Sequence, residues 1–464
     1  MRQHSRRWRV VLVLGEMLLL LGSVFAAVQV RYAGSPYPFS EYAELNTILM
    51  RGLIFALFLL LGMTALGLYQ AQLRVSAFGV IARQGLGFLL GWIGLAMLYY
   101  LLPVVQIGRG LLALSMAIGF VTVCAYHLGV RRLIDADALK RRVLVLGGGW
   151  RAAEVIERMR RRSDRRGFVT VGFVAQPGET GKVPAARLLT LSEPLSQWSE
   201  REQVDEVVVG VNDRRGTLPM AELLACRERG IAVTELSTFF ERESGCVPLS
   251  VTNPSWLVFG SGFDASSWRQ ASKRGFDVGM AVALAVVLWP VMLLTALAIA
   301  VESRGAGPLL YRQQRVGERG RCFELIKFRS MSVDAESDGV ARWAQKNDAR
   351  VTRVGRFIRK TRLDELPQLW NVLRGEMSFI GPRPERPQFV NELAPAIPYY
   401  YLRHAVKPGL TGWAQLRYPY GASVNDAAEK LRYDLFYVKN HNLLFDLMIL
   451  IQTVEVVLFG HGAR

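Results

Sequence analysis

Asp364 and Glu365 stand side by side, and Arg359, Lys360 and Arg362 stand just before them. Two adjacent carboxylates repel each other unless a cation lies between or beside them. Magnesium suits such a pair when a phosphate is present, because it binds through one or two carboxylates plus substrate oxygens. A carboxylate also attacks phosphorus to give an acyl phosphate. That species keeps its transfer potential, so a second acceptor takes the group without further input of energy. Nearby arginines would clamp the phosphate oxygens bidentately. The set continues with Arg312, Lys327-Phe328-Arg329-Ser330-Met331 and Gly381-Pro382-Arg383-Pro384. A short strand over 322–328 would deliver Lys327 and Arg329 to one face, since alternate residues share a face. The chemistry these residue types suit is phosphoryl transfer. Two plainer readings stand beside it. Asp364 also reads as the N-cap of a helix with Pro367 in its first turn. Gly381 to Pro384 also reads as a rigid extended linker.

The elements that must position these residues begin with an apolar run. Phe276 to Val301 has 26 residues and one charge, Asp277, with Pro290 near its centre. A straight helix of that length would be roughly 39 Å long, enough to span a bilayer. Both flanks are basic, Lys273 and Arg274 before it and Arg304, Arg312 and Arg315 after it. A spanning helix would put one basic flank outside, against the positive-inside bias. Proline also lacks the amide donor and clashes with the preceding turn, which kinks or breaks a helix. The run therefore reads as a re-entrant hairpin over 276–301, broken at Pro290.

Four more apolar segments, about 10–30, 52–70, 84–103 and 108–130, fill the first 130 residues. Each is close to the length needed to cross a bilayer. Arg2, Arg6, Arg7 and Arg9 precede the first, and Arg131, Arg132, Lys140, Arg141 and Arg142 follow the last. Both ends of this four-helix bundle thus read as cytoplasmic. The basic, apolar N-terminus reads as a retained anchor rather than a cleaved signal. Within it Glu16 is the one carboxylate set deep in an apolar segment. The net charge of +18 and 51% hydrophobic content fit anionic lipid and phosphorylated partners better than nucleic acid. Four cysteines without CxxC spacing suggest neither a disulfide framework nor a zinc site.

Between the bundle and the apolar run the pattern alternates. Val143 to Leu146, Val169 to Val174, Val204 to Val209 and Ile231 to Glu235 read as strands, with helices Arg151 to Arg162 and Leu218 to Arg229 between them. That is the pattern of a doubly wound, Rossmann-like sheet. Gly147-Gly148-Gly149 follows the first strand as a dinucleotide fingerprint would, but Val174-Ala175-Gln176-Pro177 lacks the acid that would hold a ribose. A tight strand–helix turn and a bound nucleotide both remain open. Residues 236–268 read as loop, and the C-terminal apolar segment 443–459 as interfacial. The expected domains are 1–135, 140–260 and 268–464, the last an α/β-containing catalytic domain.

The stretch from Lys273 onward resembles the bacterial sugar transferases, monotopic polyprenyl-phosphate phosphoglycosyl transferases. The resemblance rests on Lys273-Arg274-x-x-Asp277, Lys327-Phe328-Arg329-Ser330-Met331, Asp364-Glu365-Leu366-Pro367-Gln368, Gly381-Pro382-Arg383-Pro384 and Lys407-Pro408-Gly409-x-Thr411-Gly412, in that order. The preceding helices and α/β region look like the long-form members that initiate exopolysaccharide or O-antigen repeat units. The resemblance implies a two-step reaction at the bacterial inner membrane, with the catalytic domain facing the cytoplasm. Asp364 would attack the β-phosphate of a UDP-sugar, releasing UMP, and undecaprenyl phosphate would then take the phosphosugar. Glu365 would hold Mg2+ beside Asp364. Arg359 and Arg383 would bind phosphate, with Lys327 and Arg329 completing the substrate-binding set. Pro290 would break the re-entrant helix, although Trp289 stands where the family often places serine. Membrane lipids are implied partners, nucleic acid is not, and a homo-oligomer is left open. Two rival functions are a nicotinamide-dependent membrane oxidoreductase or epimerase, and a catalytically degenerate scaffold or sensor of polysaccharide assembly.

Overall fold

A computed structural model describes residues 2–33, 45–65, 77–134, 140–159, 165, 167–179, 181–213, 218–260, 262–263, 266–332, 350–418, 421 and 423–459. The chain divides into two compact units, 1–244 and 245–464.

The first unit opens with four long helices: α1 (Arg2–Tyr32), α2 (Leu45–Ala65), α3 (Ala77–Leu101) and α4 (Arg109–Ile134). Each contains a stretch long and apolar enough to cross a membrane. Their shared core includes Leu20, Phe55, Leu59, Met63, Phe88, Leu95 and Val123. Helices α2 and α3 approach closely because Gly62 faces Gly87; a Cβ on Gly62 would lie 2.2 Å from the Gly87 carbonyl. Small residues at such contacts are how apolar helices pack tightly. Glu16 is fully buried, and its Oε1 lies 3.0 Å from His127 Nε2 of α4. The lone carboxylate therefore meets a partner within the bundle.

A parallel four-stranded sheet follows, built from β1 (Arg141–Leu146), β2 (Phe168–Val174), β3 (Glu206–Val209) and β4 (Ala232–Glu235) in the order β2-β1-β3-β4. Helices α5 (Trp150–Arg158), α6 (Leu195–Arg201), α7 (Met220–Glu228) and α8 (Leu236–Ser244) accompany it. The continuous apolar runs of β1 and β3 are buried as expected of parallel strands. Gly147 takes φ +137°, a value open to glycine, and its missing Cβ leaves room for the Gly210 carbonyl. The glycine turn itself is engaged from within the chain. The Glu179 carboxylate accepts from Gly148 N (2.6 Å), Gln176 N (3.1 Å) and Asn212 N (3.1 Å). One backbone donor of the glycine turn, Gly148 N, is thus bonded to a side-chain carboxylate, and the α5 amide of Arg151 donates to Asn212 Oδ1. The α8 helix corrects the expectation of loop from residue 236, and α9 (Pro254–Phe259) corrects it again.

The second unit is organised on α10 (Ser267–Glu302), a 36-residue helix that continues through Pro290, so the break expected there is corrected: the proline forgoes one hydrogen bond and can bend the helix, but the chain stays helical on both sides of it. It is the fifth helix long and apolar enough to cross a membrane among the described residues. Both of its ends engage this unit. Near the start, Lys273 Nζ donates to Asp446 Oδ2 (2.6 Å), Ile380 O (3.2 Å) and the Tyr437 hydroxyl (3.2 Å). Arg274 donates to the carbonyls of Val372 (2.5 Å) and Leu373 (2.6 Å). Asp277 is buried, and its Oδ1 accepts from Ser378 Oγ (3.0 Å) and Phe379 N (3.1 Å). Near the end, Ile299 packs with Phe328 and Ile358, and Glu302 accepts from Val354 N at 3.1 Å. The middle of the helix leaves Val286, Val287, Trp289, Leu293 and Leu294 exposed. An apolar surface of that kind suits lipid, not water.

Beyond α10 come an antiparallel hairpin of β5 (Leu310–Val316) and β6 (Cys322–Phe328), then α11 (Arg353–Lys360), a 3-10 turn (Leu363–Gln368) and α12 (Leu369–Arg374). Next are β7 (Ser378–Ile380), α13 (Pro387–Ala396), a second 3-10 turn (Tyr400–Ala405), β8 (Gly409–Thr411) paired parallel to β7, α14 (Trp413–Arg417), α15 (Val424–Asn440) and α16 (Leu443–Phe459). Val354-Gly355 lies in the first turn of α11, whose start is capped by Thr352 Oγ1 accepting from Gly355 N at 2.8 Å.

Candidate active site

Strand β6, α11 and the 3-10 turn bring the charged residues together. Arg362 joins the last two elements with φ 60° and ψ 15°, a left-handed conformation that costs a non-glycine residue energy. The bend turns the chain so that Leu363 and Leu366 pack against the α10 cluster, while Asp364 and Glu365 start the 3-10 turn. Asp364 is buried. No helix is capped by its side chain: Arg362 precedes the 3-10 turn, Gln368 precedes α12, and neither N-cap has a side-chain bond. The capping alternative is therefore corrected. Among the described residues the Asp364 carboxylate makes no hydrogen bond and no ion pair. Burial pushes its pKa above the ordinary aspartate value, with the Glu365 charge adding to the rise and Lys327, Arg359 and Arg362 opposing it.

Glu365 has the opposite surroundings. Its Oε1 meets Lys327 Nζ (3.3 Å), Arg362 Nη1 (3.3 Å) and Arg383 Nη2 (3.4 Å). Burial alone would raise its pKa, but Arg383, Lys327 and Arg362 together hold it at about 2. Lys327, on the same contact, moves the other way. Desolvation pushes it down to about 8, helped by Arg383 and Arg315, and the attraction of Glu365 and Asp364 only partly offsets this. The asymmetry is a matter of number: one carboxylate faces three cations, while the one ammonium faces cations of its own sign. The two neighbouring acids are thus shifted in opposite directions, Glu365 downward by its three cations and Asp364 upward by burial.

Lys327 and Arg383, placed in one site by the resemblance and not by spacing, both meet Glu365, and the charge of Arg359 acts on Asp364. Arg329 lies just past β6, is 9% exposed, and donates its backbone N–H to Leu309 O; its Nη1 has no hydrogen-bond partner among the described residues. It touches neither carboxylate directly. Arg362 joins the site through a three-residue spacing to Glu365 that the sequence offers plainly. Arg315, Arg403 and Asp434 also converge nearby, on the segment that carries Arg383, and no local spacing marks them.

No group of three or more His, Cys, Asp or Glu side chains poised around a metal occurs among the described residues. The pair still fits a hard divalent ion that takes one or two carboxylates and fills its shell with phosphate and water. Among the described residues Asp364 has no hydrogen bond, and Lys327, Arg362 and Arg383 meet Glu365 at the same oxygen.

A family model described as bacterial sugar transferase matches residues 268–460, the stretch that contains every residue of this cluster. A UDP-galactose-lipid carrier transferase of Erwinia amylovora is 33% identical over 365 residues, 72% of this chain and 72% of its own length. The chain belongs to the bacterial sugar transferase family. Another bacterial sugar transferase relative, the undecaprenyl-phosphate glucose phosphotransferase of Komagataeibacter xylinus, is 33% identical over 77% of this chain and 67% of its own. The UDP-N-acetylgalactosamine-undecaprenyl-phosphate N-acetylgalactosaminephosphotransferase of Aeromonas hydrophila is 47% identical, over 41% of this chain and 45% of its own length. The chain therefore spans less than half the length of that last relative.

Proposed function

We propose that this protein transfers a sugar-1-phosphate from a UDP-sugar to undecaprenyl phosphate, in two steps through Asp364. The observation that carries the reading is a buried carboxylate that makes no hydrogen bond among the described residues, beside a second carboxylate and within the field of Lys327, Arg359 and Arg362. In the first step an Asp364 oxygen forms a bond to the β-phosphorus of the donor. The bond from that phosphorus to the bridging oxygen breaks, and UMP leaves with the electron pair. In the second step an oxygen of the lipid phosphate attacks the same phosphorus, and the aspartyl–phosphorus bond breaks to restore the carboxylate. Lys327, Arg359 and Arg383 would bind the donor's phosphate oxygens, and Arg329 would add a further positive charge. Asp364 and Glu365 would hold Mg2+, which supplies charge neutralisation on the diphosphate.

The membrane arrangement belongs to the same proposal. Helices α1 to α4 span the inner membrane, the parallel sheet is a Rossmann-like cytosolic domain, and α10 dips into the cytoplasmic leaflet and returns, turning at Pro290. The anchoring of both ends of α10 supports this. A straight helix would hold residues 274 and 299 about 38 Å apart. Yet Arg274 bonds the Val372 carbonyl, neighbouring Asn371 bonds Ile326 N, and Phe328, two residues on, packs against Ile299. The product would begin an exopolysaccharide or O-antigen repeat unit.

The test is UMP release by the purified full-length protein with Mg2+ and undecaprenyl phosphate, across UDP-N-acetylgalactosamine, UDP-glucose and UDP-galactose, the sugars borne by the relatives' names. Release with one donor, dependent on the lipid for multiple turnovers, is expected. Silence with all three would overturn the reading. A pH profile gives a second expectation. Lys327 carries its charge below about pH 8 and loses it above. If it binds the donor, kcat/KM falls as the pH rises through that value. Lys327→Arg, which stays charged, removes the falling limb; an unchanged limb would exclude Lys327 as its source.

A further inference from the structure

The side chain of Arg383 is long and 39% exposed, so the backbone beneath it must fix where its guanidinium starts. Four consecutive carbonyls there are all engaged. Pro382 O accepts from Gly409 N (2.9 Å), Arg383 O from Arg403 Nη2 (2.9 Å), Pro384 O from Arg315 Nη1 (3.1 Å) and Glu385 O from Val316 N (2.9 Å). Prolines at 382 and 384 restrict the dihedrals between them. Of these four contacts, the one at residue 383 itself comes from a side chain that is deeply held. Arg403 is 6% exposed, its Nη2 also donates to Asp434 Oδ2 (2.9 Å), and its Nη1 donates to the Tyr400 hydroxyl (2.9 Å). Asp434 comes from the middle of α15 and is 3% exposed. A buried ion pair is poor value as general stabilisation, because desolvation consumes most of the attraction. Such a pair makes sense where it fixes one geometry.

We propose that Arg403 and Asp434 are positioning residues that act through Arg383. Asp434 orients the Arg403 guanidinium, Arg403 clamps the Arg383 carbonyl, and the Arg383 side chain is thereby aimed at Glu365 and the donor phosphate. Neither residue touches the reacting atoms. The inference rests on the phosphotransfer reading for its consequence in turnover, and on the backbone contact alone for its structural part.

The experiment is a double-mutant cycle with a structural readout. Arg403→Lys, Asp434→Asn and the milder Tyr400→Phe are made singly and in an Arg383→Ala background, in full-length protein with thermal unfolding checked. Arg403→Lys keeps the charge but loses the fork, and misplacement on the order of an ångström is expected to lower kcat/KM about a hundredfold. With Arg383 already gone, the same change should cost less than about twofold, since residues acting as one unit are non-additive. Full additivity would overturn the proposal and mark Arg403 as merely structural. Hydrogen exchange over residues 381–386 is measured alongside and should accelerate in Arg403→Lys while the rest of the unit is unchanged. Unaltered exchange there overturns the proposal even if the parent proves inactive toward every UDP-sugar, an outcome that would sink the reaction assignment separately.

Discussion

Asp364→Asn should lose UMP release by at least about a thousandfold, the scale seen when a nucleophile is removed from a preformed site. The asparagine keeps the size and nearly the shape of the carboxylate, and among the described residues the parent makes no hydrogen bond at this position that the change would break. Folding should therefore survive, which makes the loss interpretable. A mass measurement sharpens the test. Parent protein given donor without lipid acceptor should gain the mass of one phosphosugar, released on adding undecaprenyl phosphate. The variant should gain none. A parent that turns over with no such adduct would replace the covalent route with direct attack by the lipid phosphate, and Asp364 would then be at most a metal ligand.

Glu365→Gln is expected to separate binding from turnover. The carboxylate now draws Lys327, Arg362 and Arg383 to a single oxygen. A neutral amide would release those cations toward the donor's phosphates, so KM for the UDP-sugar should stay level or fall. Turnover should drop by about a hundredfold to a thousandfold, because the charge that organises the site is gone at the moment the phosphoryl group moves. Steady-state kinetics at several donor concentrations decide it. A rise in KM with kcat preserved would mean that Glu365 serves ground-state binding instead.

The reactive cluster was legible because its signals are local. Adjacent acids, basic residues within a helix turn of them, and a lysine on a strand all announce themselves by spacing. The fate of Asp364 was less so. A carboxylate ahead of a proline is a fair helix cap by composition, and only the left-handed Arg362 turns it into the site instead. The elements misread as loop, α8 and α9, are too short to show a period, and Pro254 at the start of α9 looks like a breaker when it is a first-turn residue. Strand β5, with Arg312, Gln313, Gln314 and Arg315 in its middle, is largely exposed and so lacks the apolar alternation that marks a half-buried strand. Arg403 and Asp434 could not be paired from sequence at all. They lie 31 residues apart, and what joins them is the docking of α15 against the turn at 400–405.

Glu179 changes what the glycine turn at 147–149 means for any diffusible ligand. Tied to the turn by the chain itself, its carboxylate competes at an effective concentration on the order of millimolar or higher. An incoming pyrophosphate at the turn must displace that carboxylate from Gly148 N, while Gln176 N and Asn212 N hold the same side chain in place, each bond to a charged group being worth about 1.5–3 kcal/mol. Occupancy is then a contest between an internal anion and an external one, and a fingerprint that would signal affinity in isolation becomes, in this chain, a threshold that a ligand must exceed.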